Sequence, residues 1–294
     1  MFSRINTVKA DIVDALYGGA DRTSKEISAL TAMPEHTVRE ALAELAEKGV
    51  VRKGLPESGE RRGRESSYLL TPELISVVAD LSADPVALHI CRLHSGNVTS
   101  VVYQAPDRCE KSSFLSGIAK NISFYTEKNF PGSDLKTLSF IYDSSCPPSV
   151  TFCPCGDGKK PKMFFWSKDE LAAVISSREV MSELTLYVDL SGEQMRAFIF
   201  RPDRHYEVPL DKAAPSDGDS EKTIIKTVSA LYRAFRPDVI YISDPFGGER
   251  LENGIRSALD GEFPEHGAFC SELFSHSFEK KLIIEASKLA VGLL

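Results

Sequence analysis

No apolar run in this 294-residue chain approaches the roughly 20 residues that a membrane helix needs, which excludes a spanning role. The first residues, MFSRINTVKAD, carry charges where a signal peptide would have its apolar stretch, so a cytoplasmic location is expected. Cysteine is sparse, 6 in the whole chain, which excludes a disulfide scaffold and leaves the thiols free in a reducing compartment. The histidines His89, His94, His205, His266 and His276 lack the spacing of metal ligands. Positive charge is in deficit as well, with a formal net charge of −7.

The deficit is uneven. Residues 1–72 hold 11 Lys+Arg and 11 Asp+Glu, so the remaining 222 residues carry all of it. Within residues 48–64, Lys48, Arg52, Lys53, Arg61, Arg62 and Arg64 stand against only Glu57 and Glu60. That local excess makes a strip suited to phosphates on an otherwise neutral segment. Hydrophobic residues at 42% and charged residues at 26% are ordinary for a globular chain, and the length suggests two or so domains.

Helical periodicity opens the chain. Val8, Ile12, Val13 and Leu16 share one face, and Gly18-Gly19 stops the helix. Thr23 or Ser24 can cap a short second helix, with Glu26 near its positive end and Ile27 and Leu30 as the expected buried face. After Ala32-Met33-Pro34, a third helix runs to about Lys48 with Val38, Leu42 and Leu45 inward, and Gly49 closes it. VVRK then reads as a strand, GLPESGERRGRE as a turn-rich tip and SSYLLT as a returning strand.

Three helices and a β-hairpin in this order predict a winged helix-turn-helix that binds double-stranded DNA. Its third helix would present His36, Thr37, Arg39 and Glu40. Arg39 suits a guanine edge or a phosphate equally. Arg61, Arg62 and Arg64, beside Gly59 and Gly63, would form a wing tip able to enter a narrow minor groove. An amphipathic helical domain making only protein contacts is the alternative.

After Thr71-Pro72, strands and helices alternate. VALHICRLH and NVTSVVYQA read as strands, FLSGIAKNISFYTEKNF as a helix and LKTLSFIYD as a buried strand. The order recurs with SELTLYVDLS, MRAFIFRP, EKTIIKTVSALYRAF and DVIYISDP. Helices near ERLENGIRSALD and EKKLIIEASKLAVGLL follow. Strands, helix, strand, twice over, imply an α/β chain with two lobes of similar design. The expected domains are 1–72, a DNA-binding head; 73–165, a first lobe; and 166–294, a second lobe with the C-terminal helix.

These residues resemble the ROK family of repressors, open reading frames and sugar kinases, whose regulators include the xylose and N-acetylglucosamine repressors. SKEISALTAMPEHTVREALAELAEKGVV is similar to the family's helix-turn-helix, and GERRGRESSYLLTPE to its wing and exit strand. VVADLSADPVALHICRLHSGNV resembles the opening strands of its first lobe, and YRAFRPDVIYISDPFGG a helix–proline–strand segment ending in glycines. SHSFEKKLIIEASKLAVGLL resembles its closing helix. The resemblance implies a two-lobed actin/hexokinase-like body.

Departures from the family pattern argue against catalysis. Kinases of this fold carry an Asp-x-Gly-x-Thr type loop, where glycine lets the backbone approach phosphate. Here that loop reads Asp80-Leu81-Ser82-Ala83-Asp84, and the second phosphate loop reads Asp189-Leu190-Ser191-Gly192-Glu193. The glycines are depleted and extra carboxylates repel phosphate. On the family match for SKDELAA the catalytic base falls on Lys168, while a one-residue slip restores Asp169. The family's Glu-x-Gly-His sugar motif and Cys-x-Cys-Gly-x-x-Gly-Cys zinc motif are both missing. Phosphoryl transfer depends on positioning and charge stabilisation, so the resemblance leaves a sugar kinase as the weakest reading.

The expected protein is a dimeric, non-catalytic transcriptional regulator that needs no cofactor. An unknown small-molecule effector would bind in an interlobe cleft near Asp80, Ser82, Asp84, Asp189, Ser191, Asp244, Gly247 and Gly248, the strand ends where α/β folds take ligands. A metal- or thiol-responsive regulator using Cys146, Cys153 and Cys155 is a further reading, although four ligands are needed for a tetrahedral site and no histidine lies nearby.

Overall fold

The computed structural model describes residues 7–54, 66–81, 86–103, 111–142, 161–178, 184–190, 195–201, 204–210, 220–243, 248–262 and 278–294. The chain divides into two compact units. One comprises Met1–Tyr142, Pro148–Trp166 and Ile283–Leu294, the other Asp143–Pro147 and Ser167–Leu282.

The first unit begins with α1 (Thr7–Ala15), β1 (Arg22–Thr23), α2 (Ser24–Thr31), α3 (Glu35–Glu47), β2 (Val51–Lys53) and β3 (Ser67–Leu70). The strands form an antiparallel sheet in the order β1-β3-β2, with Val51 opposite Leu70. Ile12 and Val13 of α1, Leu16 just past its end, Ile27 of α2 and Val38, Leu42 and Leu45 of α3 are fully buried, as their helical spacing predicts. Leu30 departs from that expectation. It is 57% exposed, because α2 is short and turns its inner face onto α3 through Ile27 and Ser24 instead.

Without a linker, the chain enters β4 (Leu74–Asp80), followed by β5 (Val86–Arg92), β6 (Asn97–Tyr103), α4 (Lys111–Asn129), β7 (Asp134–Tyr142) and β8 (Lys162–Ser167). The five-stranded sheet has the order β6-β5-β4-β7-β8. β4, β5 and β6 are antiparallel neighbours, and β7 lies parallel to β4 after the α4 crossover that parallel pairing requires. As the central strand β4 is buried from Leu74 to Ala79, as a strand covered on both faces requires. Val77, Ala79, Leu88, Ile90, Leu138 and Phe140 form the core on one face, and Phe165 of β8 stacks on Phe140 at 5.1 Å.

The second unit holds α5 (Lys168–Arg178), β9 (Thr185–Asp189), β10 (Arg196–Arg201), β11 (Arg204–Val208), α6 (Ser220–Phe235), β12 (Val239–Ser243) and α7 (Gly248–Glu262). Its sheet runs β11-β10-β9-β12, with β12 parallel to β9 and the other pairs antiparallel. This repeats the order of β6-β5-β4-β7 in the first sheet. Leu186, Val188, Ala197, Ile199 and Ile240 pack against Val228 and Leu231 of α6 and Ile255 and Leu259 of α7. The twofold design expected from the alternation is therefore present. Three strands escaped it: β4, which entered only through the family resemblance, β8, whose KMFFWS carries aromatics on both faces, and β11, whose RHYEV is mostly polar.

The last helix, α8 (Phe278–Gly292), enters the first unit from Ile283 onward, whereas the sequence grouped it with the second lobe. Gly292 lies against Ala10 of α1 so closely that a Cβ there would sit 2.7 Å from the Ala10 backbone. Lys288 pairs with Asp14 and lies 4.5 Å over the Tyr17 ring. Lys48 donates to the carbonyl of Leu294, and Lys162 to that of Leu293 at 2.8 Å. The Gly18 amide donates to Leu93 O at 3.0 Å and the Tyr17 hydroxyl to Gly96 O at 3.1 Å. These bonds join the N-terminal head to the β5–β6 hairpin and the C-terminus within one unit.

Candidate nucleic-acid interface

The head positions two helices about a tight turn. Thr23 caps α2: its hydroxyl accepts from the Glu26 amide at 3.2 Å, and the Glu26 carboxylate accepts from the Thr23 amide at 2.7 Å. Ala32, at φ 52°, reverses the chain in the left-handed region. The Ser28 hydroxyl donates to Met33 O at 2.6 Å, and α3 starts behind Pro34. Gly49, at φ 71°, lets the chain leave α3 for β2.

Along α3, the buried Val38, Ala41, Leu42 and Leu45 define the inward side. Rotation of about 100° per residue puts His36, Glu40, Ala43 and Glu47 directly opposite, and all four are exposed. Of the residues expected to read DNA, His36 and Glu40 stand on this outer line and Thr37 is half-buried beside it. Arg39 lies on the flank facing α2. Its guanidinium donates to Glu35 at 2.5 Å and to the Ser24 hydroxyl at 3.2 Å. Ala43 and Glu47 were not singled out from sequence, although their spacing from His36 and Glu40 contains the signal.

The outer face of α3 is acidic. The hydrogen bond from Lys9, together with its charge, holds the Glu44 carboxyl below the usual carboxylate range. Exposed cations lie around the helix: Lys25 on α2, and Arg52 and Lys53 on β2. Arg61, Arg62 and Arg64 lie outside the described residues, between Gly54, whose amide donates to Ser67 O at 2.9 Å, and β3.

For the expected ligand residues, the structure gives a partial account. Asp80 and Asp189 hold the same place in their own sheets, as the last residue of the central strand. Asp80 is half-buried opposite Ala87, and Asp189 is buried opposite Arg196. Ser82, Asp84, Ser191, Asp244 and Gly247 lie outside the described residues, and Gly248 opens α7. Lys168 is buried as the first residue of α5, whose start is capped by Ser167 accepting from the Glu170 amide at 3.3 Å. An apolar cavity of about 250 Å³ lies in the first lobe among Val77, Leu88, Val101, Ile122 and Phe124. Cys146, Cys153 and Cys155 lie outside the described residues, among which no cluster of His, Cys, Asp and Glu could hold a metal ion. Among the described residues no helix is long and apolar enough to cross a membrane.

A ROK family transcriptional regulator, a homologue of the E. coli MLC protein, aligns over 98% of this chain and 96% of its own, with a TM-score of 0.53 and 10% identity. The fold is shared with a ROK family regulator. An inorganic polyphosphate/ATP-glucomannokinase from Arthrobacter sp. strain KM gives a TM-score of 0.41 at 11% identity over 73% of this chain and 97% of its own. A glucokinase from Parabacteroides distasonis gives 0.39 at 9% identity over 72% and 96%. No protein-family model and no curated protein matches the chain.

Proposed function

We propose that this chain is a dimeric DNA-binding transcriptional regulator of ROK type, whose two-lobed body has no kinase activity. The observation that carries the reading is the head: a capped short helix, a tight turn and a longer helix with an exposed outer face, backed by an antiparallel sheet. That is the arrangement by which a winged helix-turn-helix sets its second helix in the major groove. The likeness to a transcriptional regulator supports it, because it extends over nearly the whole chain and so includes the head. The body would dimerise and space two heads over paired half-sites, and an effector bound in the body would bias that spacing. The loop sequences that begin at Asp80 and Asp189, poor in glycine and rich in carboxylate, support a body without phosphoryl transfer.

The test is selection of bound duplexes from a random pool by the full-length protein at physiological salt. Enrichment of a two-fold symmetric site is expected. Absence of any enriched sequence would overturn the reading and leave the head as a protein-binding module.

A further inference from the structure

We propose that Glu40 is a base-reading residue that selects cytosine by accepting a hydrogen bond from its N4 amino group. The inference rests on the reading of α3 as the helix that enters the major groove, and it names what that helix prefers there.

Position comes first. A recognition helix meets base edges through its N-terminal turns, on the side away from its own core. On α3 that side and those turns belong to His36 and Glu40, opposite the buried Val38, Leu42 and Leu45. Arg39, the residue type most often paired with guanine, is held on the flank by Glu35 and Ser24. There it faces α2 rather than the outer line.

Availability separates Glu40 from its neighbours. Glu35 accepts from Arg39 and from the Ser24 hydroxyl, and Glu44 is paired with Lys9. Glu40 has no hydrogen-bond or ion-pair partner among the described residues. Glu40 is exposed on the outer line of the helix.

Chemistry then chooses the base. An ionised carboxylate only accepts hydrogen bonds. In the major groove guanine offers N7 and O6, both acceptors, and thymine offers O4 and a methyl group. Both would oppose a carboxylate already disfavoured by the surrounding phosphates. Adenine sets its N6 donor beside the acceptor N7, whereas cytosine offers the N4 donor alone. A carboxylate on the reading line is thus tolerated in front of cytosine and penalised elsewhere. Lys25, Arg52 and Lys53, exposed around α3, are available to supply the phosphate attraction that the acidic helix does not.

The test compares duplexes selected from one random pool by the full-length wild type, Glu40→Gln and Glu40→Ala. Exposure of the side chain makes both variants fold-neutral, which an unchanged Tm verifies. The wild type is expected to fix cytosine at one position of each half-site, with about a tenfold or greater loss of affinity when that base alone is changed. Glu40→Gln should convert the position to adenine, since glutamine pairs bidentately with N6 and N7, and Glu40→Ala should leave it degenerate. Unaltered base preferences in both variants would overturn the inference while leaving DNA binding intact. Failure of the wild type to select any sequence would overturn the DNA-binding reading along with it.

Discussion

His89 shows how one residue's surroundings set a pH response. It is half-buried on β5, with Nδ1 2.8 Å from the Ser100 hydroxyl. Burial holds its pKa below the ordinary histidine value, against the opposing pull of Asp80. The unfolded chain takes up a proton near pH 6.5, while the folded residue stays neutral to lower pH. Stability is therefore present above about pH 6.5 and lost as the pH falls through and below it. Urea midpoints at about pH 7.5 and about pH 5.5 should differ more for the wild type than for His89→Asn; an equal difference would show that this imidazole does not govern the response. Arg39 carries a second expectation at this scale. Held on the flank of α3 by Glu35 and Ser24, it is placed for phosphate rather than for a base edge. Arg39→Ala should weaken binding to all duplexes alike and lower the salt slope by about 1, as measured by titrations at several salt concentrations. A loss confined to one base position would contradict that placement.

At the scale of the element, caps and close approaches decide stability. The reciprocal bonds of Thr23 and Glu26 satisfy two amides that α2 would otherwise leave open. Thr23→Ala should cost about 1 kcal/mol by chemical denaturation. Helix α8 offers a paired comparison. A methyl at Gly292 would meet the Ala10 backbone at 2.7 Å, and backbone cannot swing aside as a long side chain can. Gly292→Ala should destabilise the protein by about 1–3 kcal/mol through overpacking. A methyl at Gly117 in α4 would enter open space, so Gly117→Ala should stabilise by up to about 1 kcal/mol through helix propensity. Opposite shifts of Tm in the two variants would tie the effect to the α1–α8 contact rather than to glycine replacement as such.

For the whole molecule, the repeated strand order gives each unit its own hydrophobic core. The head does not stand apart from the first lobe, because α8, the β5–β6 hairpin and β8 all bond to it or to its neighbours in the same unit. Head and first lobe should therefore unfold together, and hydrogen exchange in α3 should track that in β4. For a dimer of a 32.4 kDa chain, light scattering should give about twice that mass. The selected half-sites should be separated centre to centre by about 10–10.5 bp or a multiple of it. A monomeric mass together with a single half-site would contradict the proposed spacing role of the body.

Elements with strong local signals follow from nearby residues alone. The 3.6-residue spacing of Val38, Leu42 and Leu45, the threonine–glutamate pair of the α2 cap and the glycine after α3 each act within a few residues, so their structures follow from adjacent chemistry. The alternation of strands and helices likewise exposed the two lobes. Tertiary structure alone decided which side of α2 is buried, which carboxylates of α3 are already occupied, and where α8 packs. Most of these contacts join residues distant in the chain, Lys9 with Glu44, Asp14 with Lys288 and Lys48 with Leu294 among them, and local periodicity carries no record of such pairs. The candidate site shows the same division: His36, Glu40 and the i,i+4 pair of Glu35 with Arg39 follow from helical spacing, but the hold of Ser24 on Arg39 required two helices to meet across a turn.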